Sequence, residues 1–474
     1  MSSILQQPVF GRVRHLHFVG IGGIGMSGMA EILIHRGFKV SGSDESMGET
    51  TERLISLGAK VFKGHSAENI EGADVVVYTS AVTADQNVET REAIARKIPV
   101  IKRSEMLAEL MRMKYGIAIA GTHGKTTTTT MTGLVVRQGG FDPTIMVGGR
   151  VHSFDQTNAV VGKGDIMIVE ADEYDRTFLK LSPTLVVITN IDTDHLDIYH
   201  DIEDIKSAFI EFAAKVPFYG ALVVCLDDPM VRSIMSHVSR RTVTYGLTPQ
   251  AQLRAVDIQA DGMSSTFRVE LDRKELGMIR LASPGVHNVR NALGAIGIGL
   301  ELGMSFDDIA EGISSFSGVM RRFQVKGESQ GVVVIDDYAH HPTEVQATLQ
   351  AARAGWSDRR IIAVFQPHLY SRTRDLFNEF GLSFFDADIL VLTDVYPSRE
   401  QAIEGVSGEM IAKAAIDYGH RQVHYQADKT QLPAFLKELC QEGDIVITMG
   451  AGDIYRYGER FLEELKNKGE NIQK

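Results

Sequence analysis

Tyr115-Gly116-Ile117-Ala118-Ile119-Ala120-Gly121-Thr122-His123-Gly124-Lys125-Thr126-Thr127 reads as an apolar run, a glycine-bounded turn and the start of a helix-prone stretch. Strand, glycine loop and helix in that order hold nucleotide phosphates. Small residues let backbone N–H groups approach the oxygens, the helix start adds partial positive charge, Lys125 supplies a cation, and the Thr126 hydroxyl is left for Mg²⁺. Gly121, Thr122, His123, Gly124, Lys125, Thr126 and Thr127 are therefore the expected ATP-phosphate contacts. A full G-x-x-x-x-G-K-[ST] signature needs glycine at position 119, where Ile119 stands, so the loop is a shortened variant. The structural alternative is a Gly-rich turn closing an ordinary α/β unit.

On both sides of this loop, short β-branched runs alternate with longer helix-like segments, the pattern of mostly parallel sheets covered by helices. The expected class is α/β, with three consecutive α/β domains at residues 1–114, 115–317 and 318–474, which suits 474 residues at about 150 per domain. Residues 240 to 282 alternate polar and apolar, as in Thr266-Phe267-Arg268-Val269-Glu270-Leu271, and predict antiparallel strands forming a small β insertion in the central domain. The third domain is expected to start afresh with Val332-Val333-Val334-Ile335, and the chain to end in a charged tail, Lys466-Asn467-Lys468-Gly469.

Composition narrows the function. Hydrophobic content of 44% supplies buried cores, and runs such as Ile389-Leu390-Val391-Leu392 stop far short of the roughly 20 residues a membrane span needs. Met1-Ser2-Ser3-Ile4 opens no signal peptide, so a cytoplasmic protein is expected. Cys225 and Cys440 lie far apart without metal spacing and read as free thiols. Forty-nine Lys and Arg against sixty-one Asp and Glu give a net charge of -12 with no long basic block, which argues against nucleic acid as a partner. Small anionic substrates must then be held by local cations and backbone amides.

Upstream, Gly20-Ile21-Gly22-Gly23-Ile24-Gly25 follows the strand-like Arg14–Val19, and Asp44 ends the next strand. This G-x-G-x-x-G pattern marks a pyrophosphate on a helix N-terminus. The pyrophosphate of a nicotinamide dinucleotide and that of a UDP-sugar fit it alike, so an NAD-dependent oxidoreductase or dinucleotide-sensing protein stays open here. In the central unit, the runs Asp165–Val169 and Leu185–Thr189 deliver Glu170 and the segment Asn190 to His195 to the sheet edge where the phosphate loop sits. Glu170 and His195 are candidate metal ligands beside Thr126, while Asp172, Glu173 and Asp175 read more readily as loop or capping residues. His287 and Asn291 fall one turn apart after Pro284-Gly285 and can grip a flat heterocycle or cap a helix. Four polar strand tips in the third unit, at Asp336–Glu344, Gln366–Arg374, Asp394–Tyr396 and Gly450–Asp453, predict a ligand crevice.

Together with Thr79-Ser80-Ala81-Val82, Arg103-Ser104-Glu105-Met106-Leu107, Asp194-His195-Leu196-Asp197, His287-Asn288-Val289-Arg290-Asn291-Ala292, Arg321-Arg322-Phe323 and Asp337-Tyr338-Ala339-His340-His341-Pro342, these motifs make the chain resemble the ATP-dependent Mur ligases of bacterial peptidoglycan synthesis. The resemblance runs from about His15 to Asp453. It implies UDP-N-acetylmuramate on the first domain (Gly20, Gly22, Gly23, Gly25, Asp44, Ser80), Mg-ATP on the second, and an amino acid, L-alanine, brought by the third. It further implies that Thr126, Glu170 and His195 serve the metal, and that His287, Asn291, Arg322 and Asp337 add to the ATP site. Tyr338, His340 and Arg372 would hold the amino acid, and Lys125, His195, His340, His368, Arg372 and Arg374 would be catalytic. Within the family, a ligase joining a tripeptide to the same sugar nucleotide is the neighbouring alternative. Leu369 stands where arginine is common in the family, and Lys206 is an unconvincing counterpart of the family's carbamoylated lysine.

Overall fold

The structure is a computed structural model and describes residues 10–79, 84–151, 157–194, 198–398 and 400–472. Its class is α/β, in three domains each built on one sheet. The first sheet takes β1 (His15–Val19), β2 (Lys39–Asp44), β3 (Lys60–Lys63), β4 (Val75–Tyr78) and β5 (Val100–Lys102) in the order β3-β2-β1-β4-β5, all parallel. β1 is buried along its whole length, as a central parallel strand covered on both faces must be.

The second sheet holds β6 (Tyr115–Ala120), β7 (Thr144–Val151), β8 (Thr157–Val160), β9 (Ile166–Glu170), β10 (Leu185–Ile188), β11 (Ala221–Cys225), β12 (Thr242–Gly246), β13 (Leu253–Asp261), β14 (Ser264–Leu271) and β15 (Lys274–Leu281). Its order is β15-β14-β13-β12-β11-β10-β6-β9-β7-β8. β6 pairs in parallel with β9 and β10, so Ala120, Glu170 and Ile188 end on one edge. Ile119 is fully buried within β6 opposite Glu170, which is why the phosphate loop cannot begin there and is short. The β-rich stretch expected between 240 and 282 is present but is no separate sheet. β12 pairs in parallel with β11 and β13, and β14 and β15 follow across two-residue turns that only antiparallel neighbours can use. The turn Asp272-Arg273 has φ of 48° and 66°, the positive pair of a tight hairpin.

The third sheet holds β16 (Gln324–Ser329), β17 (Val332–Asp337), β18 (Ile361–Phe365), β19 (Ile389–Leu392), β20 (Val423–Tyr425) and β21 (Ile445–Met449), ordered β16-β17-β21-β18-β19-β20. All pairs are parallel except β16 with β17. The domain therefore starts one strand earlier than Val332: β16 is a polar antiparallel edge strand that carries no apolar run to announce it. The charged end is likewise helical, from Tyr455 to Ile472.

By compactness the chain divides into two units. One comprises Met1–Val256, Val269–Gly277 and Arg290–Phe316; the other comprises Asp257–Arg268, Met278–Val289 and Ser317–Lys474. Among the described residues, no helix is long and apolar enough to cross a membrane.

Candidate functional site

The turn after β1 is fastened to β2 by main-chain bonds: the N–H groups of Gly20 and Ile21 donate to Ser43 O at 2.8 and 3.0 Å. Gly20 has φ 78°, which favours glycine, and a Cβ on Gly22 would lie 2.9 Å from Asp44 Oδ2, so that carboxylate would have to move. Asp44 accepts the Gly22 N–H at 2.9 Å. Beneath the turn, the fully buried Glu89 accepts from Ser43 Oγ and from Asn69 Nδ2 (2.7 Å) and sits 3.5 Å from His17 Nε2. Burial pushes its carboxyl up, but the nearby His17 ring and the hydrogen bonds from Ser43 and Asn69 outweigh that and bring it to about 2. Ser80 lies outside the described residues.

The second loop closes on the tip of β10. His123 N–H donates to Asn190 Oδ1 at 2.8 Å, Asn190 Nδ2 and Thr189 Oγ1 donate to His123 O at 3.0 and 2.7 Å, and Asp192 N–H donates to Thr122 Oγ1 at 2.9 Å. The His123 ring meets Asp192 Oδ2 at 3.0 Å. Gly121 (φ 131°) and Gly124 (φ 80°) supply the positive φ values, and Gly124 is the N-cap of the helix Lys125–Gln138. Asn291 packs against this cap, its Oδ1 2.5 Å from where a Gly124 Cβ would be.

Lys125 Nζ donates to Gly121 O (2.7 Å), to Thr122 O (3.1 Å) and to Glu173 Oε2 (2.7 Å). Burial alone would lower its pKa; Glu173, Asp172 and Glu170 around it reverse the sign and raise it, so it is a fixed cation. Thr126 Oγ1 lies 3.0 and 3.1 Å from the two oxygens of Glu170, and Gly148 N–H donates to Glu170 Oε2 at 2.6 Å. Burial raises the pKa of Glu170, with Lys125 and the Gly148 amide pulling the other way. A hydroxyl and a carboxylate held together are hard oxygen donors of the kind Mg²⁺ takes, so these residues fit that metal. His195 lies outside the described residues. Lys206 makes a 2.7 Å ion pair with Glu203, one turn back on the helix Ile202–Ala214.

In the other unit the tip of β17 forms a knot. Asp337 accepts N–H bonds from Phe323 and Ala339, both at 2.7 Å, and burial raises its carboxyl to about 6 although Arg322 opposes the shift. Arg322 Nη1 lies 3.3 Å from Glu344, while Arg321 binds Asp336 (2.9 Å) and Gly450 O (2.7 Å) and stacks on Tyr338 and Tyr455. His340 is held through Nδ1 by Tyr338 O and Glu344, each at 3.0 Å. The rings of Tyr338, His340, His368 and Tyr396 follow one another at centroid separations of 5.3, 6.0 and 5.9 Å. Leu369, between this row and the helix Tyr370–Leu382, has φ 71°, a strained value for leucine. Arg372 stands half-buried in the first turn of that helix, whereas Arg374 is exposed and forked on Asp375. His287 packs over Gly285 at the start of the helix Val286–Glu301.

Sequence reasoning left Glu173 as a loop residue; it is the buried counter-ion of Lys125. It also passed over Asn190 and Asp192 as loop anchors, for which the only sequence signal is a polar pair directly after an apolar strand.

The chain matches three family models in order. They are the Mur ligase family, catalytic domain, over residues 15–115, the Mur ligase middle domain over 119–299, and the Mur ligase, glutamate ligase domain over 321–452. A UDP-N-acetylmuramate–L-alanine ligase of Salinibacter ruber is 55% identical over 469 residues, 99% of this chain and 98% of its own. The crystal structure of a UDP-N-acetylmuramate-alanine ligase from Thermotoga maritima is similar with TM-score 0.79 and 31% identity, over 96% of this chain and 99% of that one. A murein peptide ligase from Psychrobacter arcticus, at TM-score 0.68 and 23% identity over 96% and 99%, shares the fold. With the three models in sequence and a full-length relative at 55% identity, this chain belongs to the Mur ligase family.

Proposed function

We propose that the chain is an ATP-dependent ligase of the cytoplasm that joins L-alanine to the lactyl carboxylate of UDP-N-acetylmuramate, in peptidoglycan precursor synthesis. The observation that carries the reading is the 55% identity along nearly the whole chain to a relative named for that reaction. The phosphate loop supports the ATP half of it. In this reading residues 1–114 take the sugar nucleotide on Gly20, Gly22, Gly23 and Gly25, residues 115–317 take ATP with Mg²⁺, and residues 318–474 take the amino acid.

The half-buried cation Lys125 and the loop amides receive the ATP phosphates, and Lys125 exchanges its bonds to Gly121 O and Thr122 O for phosphate oxygens. Thr126 and Glu170 would hold Mg²⁺, with His195 as the further ligand the family resemblance implies. The charge that builds up during phosphoryl transfer would be spread by Mg²⁺ when bound there. The lactyl carboxylate attacks the γ-phosphorus to give an acyl phosphate and ADP. The alanine amine then attacks the acyl carbon, phosphate leaves with the carboxylate oxygen, and the amine gives up a proton. His340 is suited to take that proton: Nδ1 donates to Tyr338 O and Glu344, which leaves Nε2 as the nitrogen that can accept it. In this reading Tyr338 and His368, whose rings flank His340, and Arg372, in the first turn of the helix Tyr370–Leu382, serve the amino-acid side, while Arg374 is engaged by Asp375.

The test is phosphate release from ATP by the purified protein with Mg²⁺ and UDP-N-acetylmuramate, adding L-alanine, glycine, L-serine or the recycling tripeptide one at a time. Release that depends on L-alanine, with the matching mass gain on the sugar nucleotide, supports the reading. Release with the tripeptide alone moves the chain to the recycling reaction, and none with any acceptor overturns the ligase.

A further inference from the structure

Asp394-Val395-Tyr396 is one of the four polar strand tips of the third sheet, yet it has no part in the steps above. Pro367 has no N–H to continue the ladder of β18, so the chain leaves the sheet there. It stays tied to the neighbouring tip all the same. Tyr396 N–H donates to Pro367 O at 2.8 Å and Leu369 N–H donates to Tyr396 O at 3.0 Å, a single parallel bridge that pairs His368 with Tyr396. The Leu369 carbonyl accepts from Thr373 N–H at 3.1 Å and from Thr373 Oγ1 at 2.8 Å. Three hydrogen bonds therefore hold Leu369 at φ 71°, the conformation that turns the chain from His368 into the helix Tyr370–Leu382.

The ring of Tyr396 continues this support on the side-chain level. It lies nearly parallel to the His368 imidazole, at 13° and 5.9 Å between centroids, while His340 meets His368 edge-on at 83° and 6.0 Å. Gly452 lies against the Tyr396 ring: a Cβ there would sit 2.7 Å from Tyr396 Cγ and would also collide with Gln366 Oε1. Lys429 Nζ stands 5.6 Å from the centroid of Tyr396 and 5.7 Å from that of Tyr457. Asp453 fixes that ammonium at 2.7 and 2.9 Å, and itself accepts from the buried Gln366 Nε2 at 3.1 Å. Tyr396 is only half-buried, so these contacts orient a ring more than they bury one.

We propose that Tyr396 is a positioning residue for His368. Its ring, seated by Gly452 and by the Lys429–Asp453 pair, keeps the imidazole turned to His340 on the side-chain face of the bridge. An imidazole free to leave that orientation has to be re-ordered at each turnover, and the cost falls on the rate of ligation and not on the binding of ATP. This rests on the reading that places His368 in the reaction.

The experiment is a double-mutant cycle on the full chain, with Tyr396→Leu and His368→Ala made singly and together, beside Tyr396→Phe and Gly452→Ala. Ligation is followed with ATP, Mg²⁺, UDP-N-acetylmuramate and L-alanine. The His368 ring is followed by its ¹H–¹³C signal, identified as the one missing from His368→Ala. Tyr396→Leu should lower kcat about 10- to 100-fold with KM for ATP within about twofold, and should move the His368 signal because the neighbouring aromatic ring is gone. In the His368→Ala background the same change should cost less than about twofold more. Tyr396→Phe keeps the ring and should keep both rate and signal, whereas Gly452→Ala, which presses on the ring without removing it, should disturb both. If Tyr396→Leu fails to fold, Gly452→Ala takes its place in the cycle. A Phe variant as slow as the Leu variant, an unmoved His368 signal, or losses that multiply in the double variant would overturn the assignment. Were His368→Ala alone as fast as the unaltered chain, the reading of His368 in the reaction would fall, and the proposal with it.

Discussion

The two glycine turns solve one problem in different ways. Both place positive-φ glycines between a buried parallel strand and a helix, and both are tied down by the neighbouring strand tip. The turn at Gly121–Gly124 brings its own cation and keeps it neutralised on Glu173. The turn at Gly20–Gly25 has no lysine, leans on a buried carboxylate beneath Ser43, and has a guanidinium brought over it from β5. The backbone device is therefore common to both, and the cation beside it belongs to the same loop-to-helix step in one and to a distant segment, at Arg103, in the other.

The sharpest way to break the comparison is Lys125→Ala. If the second turn acts through its own cation, turnover should fall on the order of 10³-fold or more, the scale of losing a charge from a phosphoryl-transfer site. Affinity of the first domain for UDP-N-acetylmuramate should stay within about threefold, because Lys125 belongs to the other turn. Steady-state rates and calorimetry measure both, and joint loss would deny that the turns work separately.

Acid should act on the first turn through Glu89. Its folded-state pKa of about 2 lies below its ordinary value of 4.5, so the stability it adds is present above pH 4.5 and is lost as pH falls towards 2. The difference corresponds to about 3 kcal/mol. Glu89→Gln should lower stability at pH 7 by up to that amount and flatten the urea-unfolding stability between pH 4.5 and 3. An unchanged acid slope would remove Glu89 as the anchor of the turn.

A smaller effect is expected at Gly124→Ala. A φ of 80° costs alanine about 1–2 kcal/mol, and the added Cβ presses on Asn291 Oδ1. Melting should shift down by a few degrees, on the order of 2–4 °C for a domain of this size, with weaker ATP binding. A neutral substitution would mean that the cap geometry is not what holds the loop.

Much of this was legible in the chain because the signals are local. Tyr115 to Thr127 announces strand, loop and helix, and parallel strands bring Glu170 to Thr126 by topology alone. What stayed hidden depends on partners distant in sequence. Glu173 lies 48 residues from Lys125, in a loop where Asp175, two residues on, is exposed. β16 has the composition of a loop and becomes a strand only because β17 offers it an edge. The alternating stretch after Thr242 announced its strands but not that β12 would continue the central sheet. Arg103 stood in the sequence only as part of a family motif, and its reach to Gly25 follows from the strand order β1-β4-β5.

The central claim, that the acceptor carboxylate is activated by phosphoryl transfer before the amine attacks, is tested most directly with UDP-N-acetylmuramate carrying ¹⁸O in its lactyl carboxylate. Turnover with ATP and L-alanine should deliver one labelled oxygen to the released phosphate and leave the other in the new amide. Phosphate released without label while the amide forms would contradict the account.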